Sequence, residues 1–376
     1  MYLATSPGFP EGVQPIGNHR APIPIARVLV RYRGLGRASF RLGQALVVLA
    51  LFVAVLAPAA LPGERHPPLP SALSTPLARS LSSGSARTPA LSTSLYLSTT
   101  DGRRLNWMSC VEGQSSARRG LLDTLVVLYF GRPSRASHQE GTVLIRSGFR
   151  PVWRIRNAVL EYASGFIRCT SDHPAAHLTV AAGTSNWGPH VTYGHGQAWG
   201  RMLNDANEAL RGSDRSGRIT VLAADDIELN WNSPAASKRW IRGYQSVASW
   251  PYLDYGDAGS CPPFGRCAGG WSVDDVWWVT WGASRAMPLP EIYTNSGSQA
   301  QQWYGLSLYS YLRHGRRMII AGVLSQRRAC NQSLNDPCTG MNNSPSAAWK
   351  QLAGLLNRDR RTAQAIRWAT DIGYDR

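Results

Sequence analysis

An acidic pair follows an apolar run in the middle of the chain. Residues 218–231 read RITVLAADDIELNW, so Asp226 and Glu228 stand two positions apart. In a β-strand, side chains two positions apart share a face, and Asp225 takes the other face. Two carboxyl groups this close cannot both ionise freely, so the pKa of one rises. A protonated glutamic acid of this kind can protonate a glycosidic oxygen while its partner orients it or stabilises the developing positive charge.

Polar and aromatic side chains also stand where other predicted strands end. Rings mixed with Asp, Asn and Gln suit a sugar, because a pyranose offers an apolar face and a hydroxyl rim. The substrate-binding candidates are Asp225, Asn186, Trp187, Asp254, Trp281, Tyr293, Asn295 and Gln326. Structural alternatives exist, since Trp281 can belong to the core and Asp254 can bond a backbone amide.

Other chemistries have weaker support in the sequence. No G-x-S-x-G motif and no glycine-rich nucleotide motif occurs. His173, His177 and His190 have no partner pattern, and His195 stands at the start of a predicted helix. We therefore predict no metal site and no cofactor.

Eight short runs of β-forming residues alternate with helical segments. They are Thr124–Phe130, His177–Gly183, Arg218–Asp226, Tyr252–Gly256, Trp277–Gly282, Glu291–Thr294, Met318–Val323 and Ile366–Thr370. Alternating strands and helices imply parallel pairing, so eight units predict an α/β fold, a (β/α)8 barrel. The barrel is irregular because Gly282 to Glu291 is too short for a crossover helix. The alternative fold is an open doubly wound sheet.

Helix signals fall between these runs. Ser233-Pro234 and Ser344-Pro345 each supply an N-cap and a proline at the first helical position. Residues 195–210 carry an apolar face, and residues 298–313 form a helix that ends at Gly315. Chemistry in such barrels lies at the carboxyl ends of the strands, where Asp226 and Glu228 would stand.

The N-terminal part of the chain predicts export. Residues 1–41 are basic, and residues 42–62 form an uncharged apolar run that is either a signal peptide or a membrane anchor. Residues 63–95 are rich in Ser, Pro and Thr and predict a linker, and residues 96–376 predict the barrel domain. We expect a secreted or extracellular bacterial protein whose N-terminal segment contacts the membrane.

Six cysteines fit an oxidising compartment. Proximity in the sequence favours a disulfide between Cys261 and Cys267 and another between Cys330 and Cys338. Cys110 and Cys169 are left as the third pair. Six cysteines allow 15 connectivities, so this pairing remains one hypothesis.

The basic charge favours anionic partners. The formal net charge is +17, and 38 of the 40 basic residues are arginine. No dense basic block with interleaved aromatic residues occurs, so we predict no nucleic-acid binding. The predicted partner is polysaccharide or peptidoglycan, and the predicted state is a monomer.

Two short motifs resemble a known enzyme family. Residues 223–228 read AADDIE and residues 290–295 read PEIYTN. This combination resembles the family 25 glycoside hydrolases, which are cell-wall muramidases, and family 18 glycosidases share the D-x-E arrangement. The resemblance implies that Glu228 is the acid, Asp226 its partner and Tyr293 a substrate-side residue. The Asp-Gly-Asp strand that opens family 25 domains is absent, and residues 125–131 take its place.

Three functions are consistent with these features. The first is a glycosidase with Glu228 as general acid, with retention assisted by a substrate N-acetyl group that Asp226 orients. The second is a non-catalytic carbohydrate-binding barrel, which the absent opening Asp favours. The third is an envelope structural protein with a basic surface. A carboxyl pair in an open groove favours the first, and a Glu228 paired with arginine favours the second.

Overall fold

The computed structural model describes residues 89–212, 217–259, 261, 266–333 and 338–375. Every described residue belongs to one compact unit. The predicted basic region and the apolar run at 42–62 lie outside the described residues. No helix within the described part of the chain is long and apolar enough to cross a membrane.

Eight parallel strands form a nearly closed barrel, which confirms the predicted irregular (β/α)8 fold. The barrel strands are β1 (Ala90–Tyr96), β2 (Asp123–Tyr129), β6 (His177–Ser185), β7 (Ile219–Asp226), β8 (Tyr252–Asp254), β9 (Ala286–Pro288), β10 (Gly322–Ser325) and β11 (Trp368–Tyr374). Their order is β10-β11-β1-β2-β6-β7-β8-β9. A parallel bridge between Glu291 and Leu324 closes the gap between β9 and β10.

Helices cover the outside of the barrel, and a small antiparallel sheet follows β2. The helices are α1 (Gly102–Arg118), α2 (Val152–Cys169), α3 (Tyr193–Arg211), α4 (Pro234–Gln245), α5 (Val273–Trp277), α6 (Ser298–His314), α7 (Arg327–Gln332) and α8 (Pro345–Leu356). The small sheet contains β3 (Arg132–Ala136), β4 (Gln139–Val143) and β5 (Phe149–Pro151). The predicted caps are present, because Ser233 and Ser344 accept backbone hydrogen bonds and Gly315 ends α6 in the left-handed conformation.

The first barrel strand lies where the sequence predicts a linker. β1 has the sequence ALSTSLY and pairs with β11 along its full length. Its serines bond to both neighbouring strands: the Ser94 hydroxyl accepts from Val127 N of β2 at 2.8 Å and lies 2.7 Å from the Thr370 hydroxyl of β11. Buried serines with backbone partners can therefore form a strand whose composition is typical of a linker.

The predicted strand at Trp277–Gly282 is wrong, because this segment is helical. Ser272 begins α5 with a capping box, in which its side chain accepts from Asp275 N and the Asp275 side chain accepts from Ser272 N. A π-helix over Trp278–Gly282 follows directly. The capping box outweighs the β propensity of the tryptophans, and the strand at this place in the barrel is the short β9.

The core has two layers, one on each face of the barrel sheet. Inside the barrel, β-strand residues such as Leu125, Leu222 and Leu253 pack together with Met287. On the outer face, alternate residues pack against the helices, and Trp199 of α3 belongs to this layer. The alternation decides which polar side chains point into the lumen.

Three disulfides join Cys261 with Cys267 and Cys330 with Cys338, the pairs favoured by proximity, and Cys110 with Cys169, the pair left over. Disulfides persist in oxidising compartments, which agrees with an extracellular protein.

Removing the Cys110–Cys169 disulfide is expected to have the larger effect on stability. Its residues are 59 positions apart, whereas those of Cys261–Cys267 are 6 apart. Loop-closure entropy predicts a loss in the free energy of unfolding of about 4 kcal/mol for the double Cys→Ser variant of the first and about 2 kcal/mol for the second. Urea denaturation without reductant measures both, and equal losses would contradict the loop-length argument.

Candidate functional site

Three carboxyl groups meet at the mouth of the barrel, and we call Asp226, Glu228 and Glu291 the acid cluster. Asp226 ends β7, Glu228 follows it, and Glu291 lies in the bridge that closes the barrel. One carboxyl oxygen of each lies within 4.8 Å of the other two. The three residues are only 5, 9 and 4% exposed, respectively. The cluster therefore holds three acids in a space shielded from water.

The register of β7 points Asp226 into the lumen. Leu222 and Ala224 belong to the inner core layer, and Val221 and Ala223 belong to the outer one. Asp226 continues the inner series, as the alternation in the sequence predicts.

Asn186 holds the backbone of Glu228. Its side-chain oxygen accepts from Glu228 N at 3.1 Å, and its side-chain nitrogen donates to Glu228 O at 3.0 Å. The same nitrogen donates to the Ser237 hydroxyl at 3.2 Å. Asn186 is fully buried, so it positions Glu228 and does not face solvent as a substrate contact would.

Glu291 is the acid that the sequence analysis did not select. It lies in the PEIYTN motif, two residues before Tyr293, and the Tyr293 hydroxyl donates to Glu291 Oε1 at 2.5 Å. Residues 290–295 contain one β-bridge and no long strand. The alternation of side chains along the sequence therefore could not predict that Glu291 faces the lumen. Its signal in the sequence was an acid at the first position of the predicted strand Glu291–Thr294.

Burial raises the pKa of every carboxyl group in the acid cluster. For Glu228, burial acts first, and the charges of Asp257 and Asp226 add to it. A hydrogen bond to Asp257 raises the pKa of Glu228 further and acts to lower that of Asp257. Among the ion pairs of the described residues, none involves the acid cluster. Glu228 is therefore suited to keep a proton.

Neighbouring charge raises the pKa of the other two acids as well. After burial, the charges of Glu228 and Asp226 raise the pKa of Glu291, whereas the Tyr293 hydrogen bond lowers it. For Asp226, the charges of Asp254 and Asp257 add to burial. Of these three acids, Glu291 has a phenol donor that favours its ionised form.

Buried tyrosines surround the acid cluster. Burial raises the pKa of Tyr96, Tyr129, Tyr255 and Tyr293, and the charge of Asp226 contributes in each case. Their phenols stay protonated at neutral pH and can donate hydrogen bonds. Three of them, Tyr129, Tyr255 and Tyr293, belong to the inner core layer.

Asp225 and Asp254 lie on the outer face of the barrel sheet, away from the lumen. They are partners in the register of β7 and β8, in phase with Ala223 and Tyr252 of the outer layer. Asp254 accepts from the Thr280 hydroxyl at 2.7 Å and from Gly256 N at 3.2 Å. The structure thus does not bring these two predicted substrate-binding residues into the acid cluster, since adjacent positions point to opposite faces.

The remaining predicted residues are spread around the barrel. Trp187 is half-buried, with its ring 6.2 Å from that of Trp231, whereas Trp281 lies in the π-helix and packs against the outer core. The Asn295 side chain donates to Asn342 Oδ1 at 2.8 Å, and that of Gln326 donates to Met341 O at 3.3 Å. Of these four, Trp187 is adjacent in sequence to a residue that contacts the acid cluster. It directly follows Asn186, whose side chain bonds the backbone of Glu228.

His195 has the structural role that its position predicts. It lies in the first turn of α3, where Nε2 bonds to Gly141 O at 2.9 Å and Nδ1 accepts from Trp240 Nε1 at 2.8 Å. Burial lowers its pKa to about 4, so the ring is neutral at pH 7.

The acid cluster is also a possible donor set for a cation. Carboxylate oxygens are ligands for hard divalent ions, and Asp226 Oδ1 has no hydrogen-bond partner within the described residues. Protons and a cation would compete for the same oxygens. The absence of a metal site stays a prediction.

No protein-family model and no curated protein matches the chain. Among solved structures, the chain is similar to one described as belonging to a study of two fungal beta-1,4-galactanases, with 12% identity, 80% of this chain and 79% of that chain covered, and a TM-score of 0.37. At this level of similarity, the reaction and substrate of those enzymes do not transfer to this chain.

Proposed function

We propose that this protein is a secreted glycoside hydrolase that cleaves cell-wall or other extracellular polysaccharide, with Glu228 as general acid. The acid cluster carries the proposal. It places Glu228, whose pKa is raised by burial and by neighbouring acids, beside two further carboxyl groups at the carboxyl ends of barrel strands, where barrel enzymes keep their chemistry. A Glu228 paired with arginine would favour a non-catalytic barrel, and no such pair occurs among the described residues.

The proposed reaction assigns a role to each acid. Glu228 gives its proton to the glycosidic oxygen as the bond from that oxygen to the anomeric carbon breaks. A carboxylate oxygen of Glu291, whose ionised form the Tyr293 hydroxyl favours, forms a bond to the anomeric carbon. Water then gives a proton to Glu228, attacks the anomeric carbon and releases Glu291. Asp226 raises the pKa of Glu228 throughout.

The distance within the acid cluster favours retention of the anomeric configuration. Retaining pairs are about 5–5.5 Å apart, whereas inverting pairs are about 6.5–9.5 Å apart to admit a water. One carboxyl oxygen of Glu228 and one of Glu291 lie within 4.8 Å of each other, a spacing nearer to that of retaining pairs.

Measuring the sugar released from purified polymers tests the proposal. Purified full-length protein is incubated with peptidoglycan, chitin and neutral and acidic polysaccharides, and reducing ends are counted. NMR of the first products is expected to show the retained anomer. Binding to a polymer without release of sugar would favour the non-catalytic carbohydrate-binding barrel, and neither binding nor release would remove both functions.

Asn186→Ala is expected to lower both stability and turnover. It removes the two hydrogen bonds to the Glu228 backbone, so we expect a loss of about 2–3 kcal/mol in the free energy of unfolding and a fall in kcat larger than the rise in KM. Asn204→Ala is the matched control. Asn204 lies on α3, and its side chain also bonds two backbone groups, Val247 O at 2.8 Å and Ser249 N at 2.9 Å. Neither of these groups belongs to the acid cluster. Equal kcat in both variants would contradict a positioning role for Asn186.

A further inference from the structure

The small β3–β5 sheet brings two arginines to the mouth of the barrel. It follows β2 through Gly131, whose φ is +86° and where a Cβ would lie 2.0 Å from Val143 O. This close approach requires glycine and folds the sheet against the end of β2. Arg132 begins β3, and Arg146 lies in the turn between β4 and β5.

Arg132 lies beside the half-buried tryptophans that flank Glu228. Its guanidinium carbon is 4.8 Å from the centre of the Trp187 ring. Trp187 follows Asn186, which holds the Glu228 backbone, and Trp231 N donates to Glu228 O at 3.2 Å. One guanidinium and two indoles thus form one rim of the proposed catalytic centre.

Arg146 stands at a second place on the rim. Its guanidinium carbon is 5.6 Å from the centre of the Tyr374 ring, which is 5.4 Å from the ring of Tyr96. Tyr96 packs against the inner core layer, which includes Tyr293, the hydrogen-bond donor to Glu291, so this second rim also borders the acid cluster. The φ of Arg146 is +55°, a conformation that non-glycine residues adopt rarely.

Neither guanidinium has a carboxylate partner in the described part of the chain. Both residues are exposed, whereas Arg135 of the same sheet pairs with Glu140 at 3.8 Å. A guanidinium fork matches a carboxylate in two hydrogen bonds, and stacking on a ring orients it beforehand. The acids lie buried in the centre and the free cations lie on the rim.

We propose that the substrate is a glycan whose sugar units carry carboxylates, and that Arg132 and Arg146 bind these groups on either side of the cleaved bond. This inference rests on the proposed function and names its substrate class. The pattern of charge supports it, because anionic groups at the rim avoid the central acids, and the net charge of +17 attracts an anionic polymer.

Binding to matched polymers tests the inference. Polygalacturonate and alginate are each prepared with free carboxylates and with amidated carboxyls, and dissociation constants are measured in the Glu228→Gln background so that the polymer stays intact. Arg132→Gln and Arg146→Gln are each expected to weaken binding to the carboxylate form about 10- to 100-fold and to leave binding to the amidated form unchanged. Arg135→Gln, on the same strand as Arg132, is the control and should change neither.

The outcomes separate this inference from the proposed function. Equal binding to the free and amidated forms, binding to neither, or no effect of the two arginine variants overturns the carboxylate proposal, even where wild-type protein releases sugar. Carboxylate-selective binding that depends on Arg132 and Arg146 supports it, even where no sugar is released and the hydrolase proposal fails.

Discussion

Glu228→Gln is expected to lower the rate of polysaccharide hydrolysis by about 10²- to 10⁴-fold, which is the usual contribution of a general acid. The amide has no proton to give to the leaving oxygen. The amide keeps the size of the side chain, and the backbone hydrogen bonds to Asn186 do not involve the carboxyl group. The measurement compares kcat for release of reducing ends with the urea unfolding of the same preparations. Stability should not fall, because the neutral amide removes the cost of keeping a buried carboxyl group protonated at neutral pH, so a loss of rate reports on chemistry.

Glu112→Gln is the matched control for that variant. Glu112 is also a buried glutamic acid whose pKa burial raises, but it lies in α1, where its Oε1 is 3.4 Å from the Ser116 hydroxyl and 3.7 Å from Arg119. Its substitution should leave kcat within a few-fold of wild type. A Glu228→Gln protein as active as the Glu112→Gln protein would show that another group supplies the proton.

The second large effect is on the pH dependence of stability. Burial raises the pKa of Asp254 to about 7 from an ordinary value of 3.8, against the hydrogen bonds from Thr280 and Gly256 that lower it. Because the pKa is raised in the folded protein, the unfolded chain loses this proton at a lower pH than the folded protein does. The free energy of unfolding therefore falls by about 4 kcal/mol between about pH 4 and pH 7 and changes little from this group above that range.

Asp254→Asn is expected to remove this part of the pH dependence. The amide stays neutral, so the variant should be more stable than wild type at pH 8 and close to it at pH 4. Its NH₂ group can donate to Asp225, both of whose carboxyl oxygens have no hydrogen-bond partner within the described residues. Urea unfolding across pH 4–8 measures the two curves.

Asp359→Asn is the control for the pH experiment. Asp359 is half-buried, and its hydrogen bonds with Arg361 lower its pKa to about 2 from an ordinary value of 3.8. Its titration in both folded and unfolded chains is nearly complete above about pH 5, so this variant should keep the wild-type slope from about pH 5 to pH 7. Parallel slopes in wild type and Asp254→Asn would mean that Asp254 is ionised in the folded protein at low pH.

Much of the barrel could be predicted from local pattern. β-forming runs predicted β2, β6 and β7 because these strands are buried and long, so their composition reflects their packing. Ser-Pro pairs predicted the start of α4 and α8, because N-cap bonds depend on neighbouring residues only. The alternation along β7 also predicted that Asp226 and Asp225 face opposite sides.

Two other elements depart from what composition and β propensity predict. β1 exists because the hydroxyls of Ser92 and Ser94 bond to β2 across the sheet, so a linker-like composition forms a central strand. Tertiary packing outweighed propensity there. The segment at Trp277–Gly282 has strand-forming residues, but the local capping box of Ser272 and Asp275 begins α5, which carries the helix into it.

The sequence by itself determined the acid pair, since Asp226 and Glu228 share a face whenever this segment forms a strand. Only the tertiary structure decided what surrounds that pair. Closure of the barrel through the Glu291–Leu324 bridge brings Glu291 within reach from 63 positions along the chain. The physical reason is that periodicity describes neighbours along one strand, whereas distances across the lumen follow from which strands pair and how the sheet closes.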